Sequence, residues 1–333
     1  MFINAQIIGR DERRTRNPDV KRGDKSFVMS RSELVGFSDN PTKWLAGAYA
    51  FEESKAMDFG SLLDCLLTQP DSLESKFVVS PDIYPVFDKK GVPTGETKPW
   101  NNNANFCKDF NSDHEARGLT VVSQKMYADA RKAEASMKSN EAIADLIECS
   151  AKQVLIVADW KDDATGLVIP FASLLDLVPP ASHAEWGKTL ADIKTARDGN
   201  PAKWARVCDD SGYDIQAAIY MDIHFAATGE DRTDFVHVIQ ENTFPFHVVT
   251  PPPALSVEFL QWGRSKYTRA LSLYCKCLAN EVWPGYDAIG IQYGNTQIIG
   301  PEDCWNYRKC AGMTEFKMPE PARVTEPSFD ILP

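Results

Sequence analysis

The stretch Phe171-Ala172-Ser173-Leu174-Leu175-Asp176 ends an apolar run on a carboxylate, and Leu190-Ala191-Asp192-Ile193-Lys194 repeats that pattern after a gap of fifteen residues. Two apolar strands joined by a turn would bring two carboxylates and one ammonium group close together. Such a group can hold a hard cation and still offer a positive charge to a water molecule or a phosphate. It suggests metal-assisted hydrolysis of a phosphodiester, although an Asp-x-Lys triplet alone is common by chance.

Each of these residues also has a simpler interpretation. Asp176 is flanked by apolar residues, where an unpaired carboxylate is costly to bury, but it can equally cap a turn or pair with a lysine. Asp192 and Lys194 share one face of a strand because alternate residues point the same way. They can form an ordinary surface ion pair, worth roughly 0–1 kcal/mol.

The composition limits the classes of protein that the chain can represent. Its 333 residues are 43 % apolar, enough for one large or two ordinary domains. The net charge of −11 gives no general basic field, so a polyanion would have to be held by local basic clusters or through a divalent metal. The eight cysteines are dispersed, and the start shows no apolar signal segment. We therefore expect free thiols in a reducing cytoplasm and no membrane partner.

Other motifs in the sequence are weaker. Cys275-x-Cys277 with Cys304 and Cys310 can in principle hold an iron–sulfur cluster, but no C-x-x-C accompanies them and buried thiols are favoured. The five histidines lack zinc-protease spacing, and there is no phosphate-binding glycine loop or G-x-S-x-G motif.

The pattern along the chain predicts an α/β (mixed α+β) fold with one mixed sheet carrying the acids and flanked by helices. We expect a flexible arm over 1–26, a domain over 27–300 with a long loop at 80–105, and a disordered tail over 311–333. The predicted helices begin near Ser30, where Glu33 completes a capping box, and otherwise cover Pro41–Ala50, Ala56–Leu67, 105–117, 123–148, Tyr213–Thr228 and 254–280. The predicted strands cover 152–160, 167–177, 187–193, Asp234–Glu241 and Phe246–Val249.

Two predicted helices carry further candidates. Tyr213, Gln216 and Tyr220 recur at helical spacing, so the glutamine can orient a water or a phosphate and the tyrosines can contact DNA. The alternative is an amphipathic helix whose tyrosines merely pack. Asp64 lies in an otherwise apolar helix, and it is either a third metal ligand or a solvent-facing residue. Gly60, one turn earlier in the same helix, permits close approach of another backbone.

Basic residues form two local clusters that can bind phosphates. The first surrounds Trp204 and contains Lys194, Arg197, Lys203 and Arg206, opposed only by Asp198. The second contains Arg264, Lys266 and Arg269 with Trp262 and Tyr267, and a solvated helix face is its alternative.

Several motifs occur in a fixed order over about 28 to 290. They are Ser30-Arg31-Ser32-Glu33-Leu34, Asn40-Pro41-Thr42-Lys43-Trp44, Phe59-Gly60-Ser61-Leu62-Leu63-Asp64, Gln69-Pro70, Leu175-Asp176, Asp192-Ile193-Lys194-Thr195, Tyr213-x-x-Gln216-x-x-x-Tyr220, Gln240-Glu241, Gly263-Arg264-x-Lys266-Tyr267 and Trp283-Pro284-Gly285-Tyr286. In this order the chain resembles the RecE-type exonuclease domain (exodeoxyribonuclease VIII) of the PD-(D/E)XK nuclease superfamily, with its restriction-endonuclease-like core.

The resemblance implies roles for the matching residues. Asp176, Asp192 and the main-chain carbonyl of Ile193 would bind Mg²⁺, with Mn²⁺ as a substitute. Lys194 would position or help deprotonate the attacking water, and Gln216 would orient the nucleophile or the phosphate. Many relatives carry histidine where this chain has Asp64, and a carboxylate is an equally good ligand for Mg²⁺.

The resemblance also implies an activity and partners. The family degrades linear double-stranded DNA from 5′ ends for phage-type recombination, works with a single-strand annealing protein and tends to form rings. The alternatives are another nuclease of this fold, of single-strand or restriction type, or an inactive DNA-binding or assembly protein. Asp176, Asp192, Lys194 and Gln216 are all present, which favours an active enzyme.

Overall fold

A five-stranded mixed sheet lies at the centre of the computed structural model, which describes residues 1–9, 19–49, 55–285, 291–293 and 296–298. Across the sheet its strands are β1 (Phe2–Ile8), β6 (Ala151–Lys161), β7 (Val168–Val178), β8 (Thr189–Ala196) and β9 (Asp234–Glu241). Neighbouring strands are antiparallel except β8 and β9, which are parallel. The predicted mixed α/β fold is confirmed, including the strands that carry Asp176 and Asp192.

The remaining elements are helices and short paired strands. The helices are α1 (Arg31–Asp39), α2 (Pro41–Leu45), α3 (Lys55–Thr68), α4 (Leu73–Lys76), α5 (Asn105–Glu115), α6 (Gln124–Ser139), α7 (Glu141–Cys149), α8 (Pro201–Asp210), α9 (Tyr213–Thr228) and α10 (Val257–Asn280). The short pairs are β2 (Phe77–Val79) with β5 (Thr120–Val122), β3 (Ile83–Phe87) with β4 (Pro93–Pro99), and β10 (Ile291–Tyr293) with β11 (Thr296–Ile298).

Helices cover both faces of the central sheet. On one face α1, α9 and α10 contribute to a core that includes Phe37, Phe171, Ile219, Phe235 and Tyr274. On the other face α3, α6 and α7 contribute to a core that includes Leu62, Met137, Ile143, Leu146 and Val236. Phe235 and Val236 are neighbours in β9 but enter different cores, because successive strand residues point to opposite faces. The acid-bearing strands therefore lie between two packed layers.

Short polar side chains cap several of the helices at their N-termini. Ser30 Oγ accepts a hydrogen bond from the Glu33 N–H at 3.5 Å, which confirms the helix start expected there. The single helix predicted over 123–148 is wrong, because Asn140 is extended and divides it into α6 and α7. Its Oδ1 accepts from the Ile143 N–H at 3.1 Å and so caps α7. The predicted helix Tyr213–Thr228 is confirmed as α9.

The flexible arm predicted over 1–26 is wrong for its first residues. Phe2–Ile8 forms an edge strand of the central sheet, antiparallel to β6. Phe2 packs edge-on against Trp160 with ring centroids 5.2 Å apart, so burial of an aromatic side chain stabilises the strand. Residues 10–18 of the predicted arm and the predicted tail over 311–333 lie outside the described residues.

Other predicted segments also differ from the structure. The stretch 80–105 is not a structureless loop, because β3 and β4 form a hairpin whose Tyr84 and Phe87 rings stack on Phe106 of α5. The strand predicted at Phe246–Val249 is reduced to one bridge between Gln240 and Val248. Helix α2 ends earlier than the predicted Pro41–Ala50, and α8, which Pro201 begins, was not expected.

Candidate active site

Strands β7 and β8 separate where the predicted acids lie. Leu177 and Ala191 are paired across the two strands, and next to that pair Asp176 Oδ2 accepts a hydrogen bond from the Ile193 N–H at 3.0 Å. At this position the Asp176 carboxylate, rather than a backbone carbonyl of β7, accepts the hydrogen bond from the Ile193 N–H. This opening brings Asp176 to Asp192 and Lys194, as the sequence predicts.

Asp192, Lys194 and Gln216 form one hydrogen-bonded group. Lys194 Nζ forms an ion pair with Asp192 Oδ2 and donates to Gln216 Oε1 at 3.0 Å. Gln216 Nε2 donates to Asp192 Oδ1 at 2.7 Å. Because α9 packs against the sheet, its glutamine closes this ring of contacts, and the side chains of Asp192 and Lys194 are only 2 % and 15 % exposed. The predicted proximity of these three residues is confirmed.

Asp64 reaches the same opening from α3. Gln153 Nε2 donates to Asp64 Oδ1 at 2.9 Å and to Asp176 Oδ1 at 3.4 Å, so one amide joins the two carboxylates. Helix α3 can lie this close because Gly60 faces β8, where an added Cβ would be 3.1 Å from Thr195 Oγ1. The close approach predicted for Gly60 is thus confirmed, and Asp64 faces the site rather than bulk solvent.

The carboxylates repel one another in this arrangement. Burial raises the pKa of Asp176 well above its ordinary value, and the charges of Asp192 and Asp64 raise it further, while Lys194 opposes them. Asp192 Oδ2 is buried, and the Lys194 ammonium pairs with it. A divalent cation would offset this repulsion, and carboxylate oxygens are ligands that Mg²⁺ prefers. The donor set therefore fits such a cation.

The side chains are held in two groups rather than in a closed ligand cage. Within the part of the chain that the structure describes, no three His, Cys, Asp or Glu side chains are already arranged to hold a metal. Asp64 and Asp176 form one group through Gln153, and Asp192 belongs to the other. The hydrogen bond from Ile193 to Asp176 connects them.

The two tyrosines predicted to contact DNA have different environments. Tyr213 lies beneath two cations, with Lys194 Nζ 4.4 Å and the Arg31 guanidinium carbon 5.4 Å from its ring centroid. Tyr220 is buried and packs against Phe235, and burial raises its hydroxyl pKa. This corrects the prediction for Tyr220, because a ring in the core cannot stack on a base.

Several residues of the two basic clusters form ion pairs within the protein. Arg197 is exposed, whereas Lys203 Nζ pairs with Asp198 at 2.6 Å and Arg206 Nε with Asp210 at 3.3 Å at the surface. In the second cluster Lys266 and Arg264 pair with acids of the α8–α9 region, and Tyr267 is buried. The second cluster therefore stabilises helix packing, and the first keeps its predicted DNA-binding role as a prediction.

Two residues of the site were not predicted from the sequence as functional. Gln153 follows Lys152 at the polar start of the strand predicted over 152–160 and gives no signal of its own. Arg31 was noted only within the Ser30-Arg31-Ser32 motif, although it shares the Tyr213 ring with Lys194. Only the tertiary contacts distinguish these residues from ordinary surface side chains.

A mixed sheet with an acid on one strand and an Asp-x-Lys triplet on the next defines the PD-(D/E)XK class. Residues 30–293 match the family described as "PDDEXK-like domain of unknown function (DUF3799)". The chain belongs to this family, since the match covers most of its length.

Comparison with solved structures supports the same fold. A crystal structure from Eubacterium rectale, described as a "Putative exonuclease", aligns with a TM-score of 0.54 and 16 % identity. The alignment covers 87 % of this chain and 96 % of the other. At this identity the likeness shows the fold alone. No curated protein matches the chain.

Within the described ranges, the helices are too short or too polar to span a membrane.

Proposed function

We propose that this chain is a divalent-metal-dependent exonuclease that hydrolyses the phosphodiester bonds of linear double-stranded DNA from 5′ to 3′. The observation that carries the proposal is the closed group formed by Asp192, Lys194 and Gln216 beside Asp176. Membership of a PDDEXK-like family and a structural neighbour described as a "Putative exonuclease" support it. The order of the RecE-type motifs supports the choice of substrate and polarity.

The cation would be Mg²⁺, with Mn²⁺ as a substitute. Asp176, Asp192, the main-chain carbonyl of Ile193 and Asp64 are the residues that would hold it. When bound, such a cation lowers the pKa of water and stabilises negative charge on the phosphate. Burial, followed by the charges of Asp192 and Asp64, raises the pKa of Asp176, and a bound cation would offset the repulsion among these carboxylates.

Lys194 would act on the attacking water or the phosphate. Its ammonium is held on one side by Asp192 and Gln216 and lies over the Tyr213 ring, so its direction is fixed before substrate arrives. An N–H of the Lys194 ammonium can orient the water, and only its neutral amine form, which has a free lone pair, could take a proton from that water. Gln216 positions Lys194 and Asp192 together because its amide contacts both.

DNA would be held by local positive charge on an otherwise acidic chain. Arg31 beside Lys194, exposed Arg197, and the α8 residues Lys203 and Arg206 are the proposed phosphate contacts. Tyr213 would line the same path. We further propose that copies of the chain assemble into a ring that confines the DNA end, and that a single-strand annealing protein takes the 3′ strand in the cytoplasm of a bacterial host.

Linear duplex labelled at the 5′ or the 3′ end tests this proposal. With Mg²⁺, early release of the 5′ label is expected, and Asp192→Ala and Lys194→Ala should abolish it. A matched surface pair, Asp129→Asn and Lys125→Ala, should leave release unchanged because that ion pair lies on α6. Cleavage of circular duplex or preference for single strands would favour another nuclease of this fold. DNA binding without any label release would indicate an inactive scaffold.

A further inference from the structure

Gln153 has a backbone conformation that side chains of L-residues rarely adopt. It lies within β6, yet its φ is +55°, and its neighbours Lys152 and Val154 keep their pairing with Leu177 and Leu175 of β7. That register places Gln153 opposite Asp176. A left-handed backbone conformation is unfavourable for a residue other than glycine and persists only where surrounding contacts maintain it. Such strain in a strand next to acidic residues suggests a functional constraint.

The side chain of Gln153 is directed to the carboxylates. The residue is 6 % exposed, and its Nε2 donates to both oxygens of Asp64, at 2.9 and 3.1 Å, as well as to Asp176 at 3.4 Å. Asp64 lies on α3 and Asp176 on β7, so no local structure holds these two acids together. The amide of Gln153 links them across the site, and it does so without adding charge.

We propose that Gln153 is a positioning residue that sets the spacing of Asp64 and Asp176 for a divalent cation and fixes the net charge of that ligand set. This inference rests on the proposed function. Hydrogen bonds to ligand carboxylates commonly orient them, and loss of such a bond lowers metal affinity about 10- to 100-fold. An amide suits this position because it supplies two donors to anions that repel each other.

The absence of charge on the Gln153 side chain is as important as the length of that side chain. Glutamate has almost the same size as glutamine, but at this position it would place a further negative group against Asp64 and Asp176. Gln153→Glu should therefore make the metal-free protein less stable and make its stability depend more strongly on added metal. Gln153→Ala keeps the charge and removes the link. The two substitutions separate positioning from charge.

Isothermal titration calorimetry of the full chain with Mn²⁺ tests whether Gln153 positions the two carboxylates. Gln153→Ala should weaken binding about 10- to 100-fold. Gln240→Ala is the matched control, since this buried glutamine donates to the carbonyl of Phe246 at 2.7 Å and not to a site carboxylate. Its metal affinity should equal that of the wild type even if its melting temperature falls.

Thermal unfolding with EDTA and with saturating Mn²⁺ tests whether Gln153 fixes the net charge of the ligand set. The metal-induced rise in melting temperature should be larger for Gln153→Glu than for the wild type. Wild-type affinity in Gln153→Ala together with an unchanged metal-induced rise in Gln153→Glu would overturn the inference and leave the proposed nuclease standing. If the wild type binds neither Mn²⁺ nor Mg²⁺, both proposals fail.

Discussion

Lys194 Nζ lies 4.4 Å from the centroid of the Tyr213 ring, so the ammonium predicted to assist hydrolysis rests on an aromatic face. Arg31 approaches the same ring at 5.4 Å. Ring faces are electron-rich and attract cations, which allows two positive groups to lie close together beside the carboxylates. Tyr213 therefore links the helix N-terminus that carries Arg31 to the strand that carries Lys194.

Tyr213→Leu should slow DNA digestion. A cation over an aromatic ring gains about 0.5–2 kcal/mol, so loss of the ring predicts a decrease in kcat of about 2- to 30-fold. Tyr213→Phe keeps the ring and should retain most of the rate. Initial rates on end-labelled duplex at saturating DNA and Mg²⁺ provide the measurement. Equal losses in both variants would show that the hydroxyl group, rather than the ring, is the important feature.

Arg31→Gln should weaken DNA binding while sparing the chemical step. One phosphate contact fewer should lower the slope of log K against log salt by about 1. Fluorescence anisotropy with labelled duplex over a range of salt concentrations measures this slope. Arg131→Gln is a suitable control, because that arginine is exposed on α6 and pairs with Glu134. A change in kcat with an unaltered salt slope would instead place Arg31 at the reacting group.

Short-range patterns were sufficient to predict much of the site. Asp192 and Lys194 lie on one face because strand side chains alternate, and Ser30 and Glu33 mark a helix start through local capping. Tyr220 could not be placed in this way. Helical spacing shows that it shares a face with Gln216 but does not show that packed elements cover that face.

Two of the features that the sequence did not reveal depend on contacts between distant parts of the chain. Phe2–Ile8 becomes a strand only by pairing with β6, about 150 residues later, and nothing near it in sequence reveals that partner. Gln153 contacts Asp64 from 89 residues away and relies on a backbone conformation that composition does not encode. Such contacts depend on how the layers pack and therefore require the three-dimensional structure.

Gly263→Ala should destabilise the fold strongly. Helices α9 and α10 approach so closely that a Cβ at this position would lie 2.0 Å from the Asp214 carbonyl oxygen. Because that atom belongs to the backbone, relief requires the helices to move, and a cost of about 3 kcal/mol or more is expected. Urea unfolding measures this cost. Gly36→Ala in α1 is the control, where a Cβ would meet Tyr49 at an ordinary 3.4 Å and stability should change by at most about 1 kcal/mol.

His237 makes the fold sensitive to acid. Burial, followed by the charge of Lys194, lowers its pKa from 6.5 to about 3, and Trp204 Nε1 donates to its Nδ1 at 3.1 Å. The folded protein thus keeps this ring neutral at pH values where the unfolded chain binds a proton. Stability from the neutral ring is present above about pH 6.5 and is lost as the pH falls.

His237→Gln should therefore reduce the loss of stability on acidification. Between about pH 7.5 and pH 5 the wild type should lose about 2 kcal/mol through this residue, which glutamine avoids while still accepting from Trp204. Urea unfolding of both proteins at the two pH values gives the difference. His247→Gln, at an exposed position, should behave like the wild type. An equal loss of stability in His237→Gln and the wild type would show that His237 is already protonated, or exposed, in the folded protein.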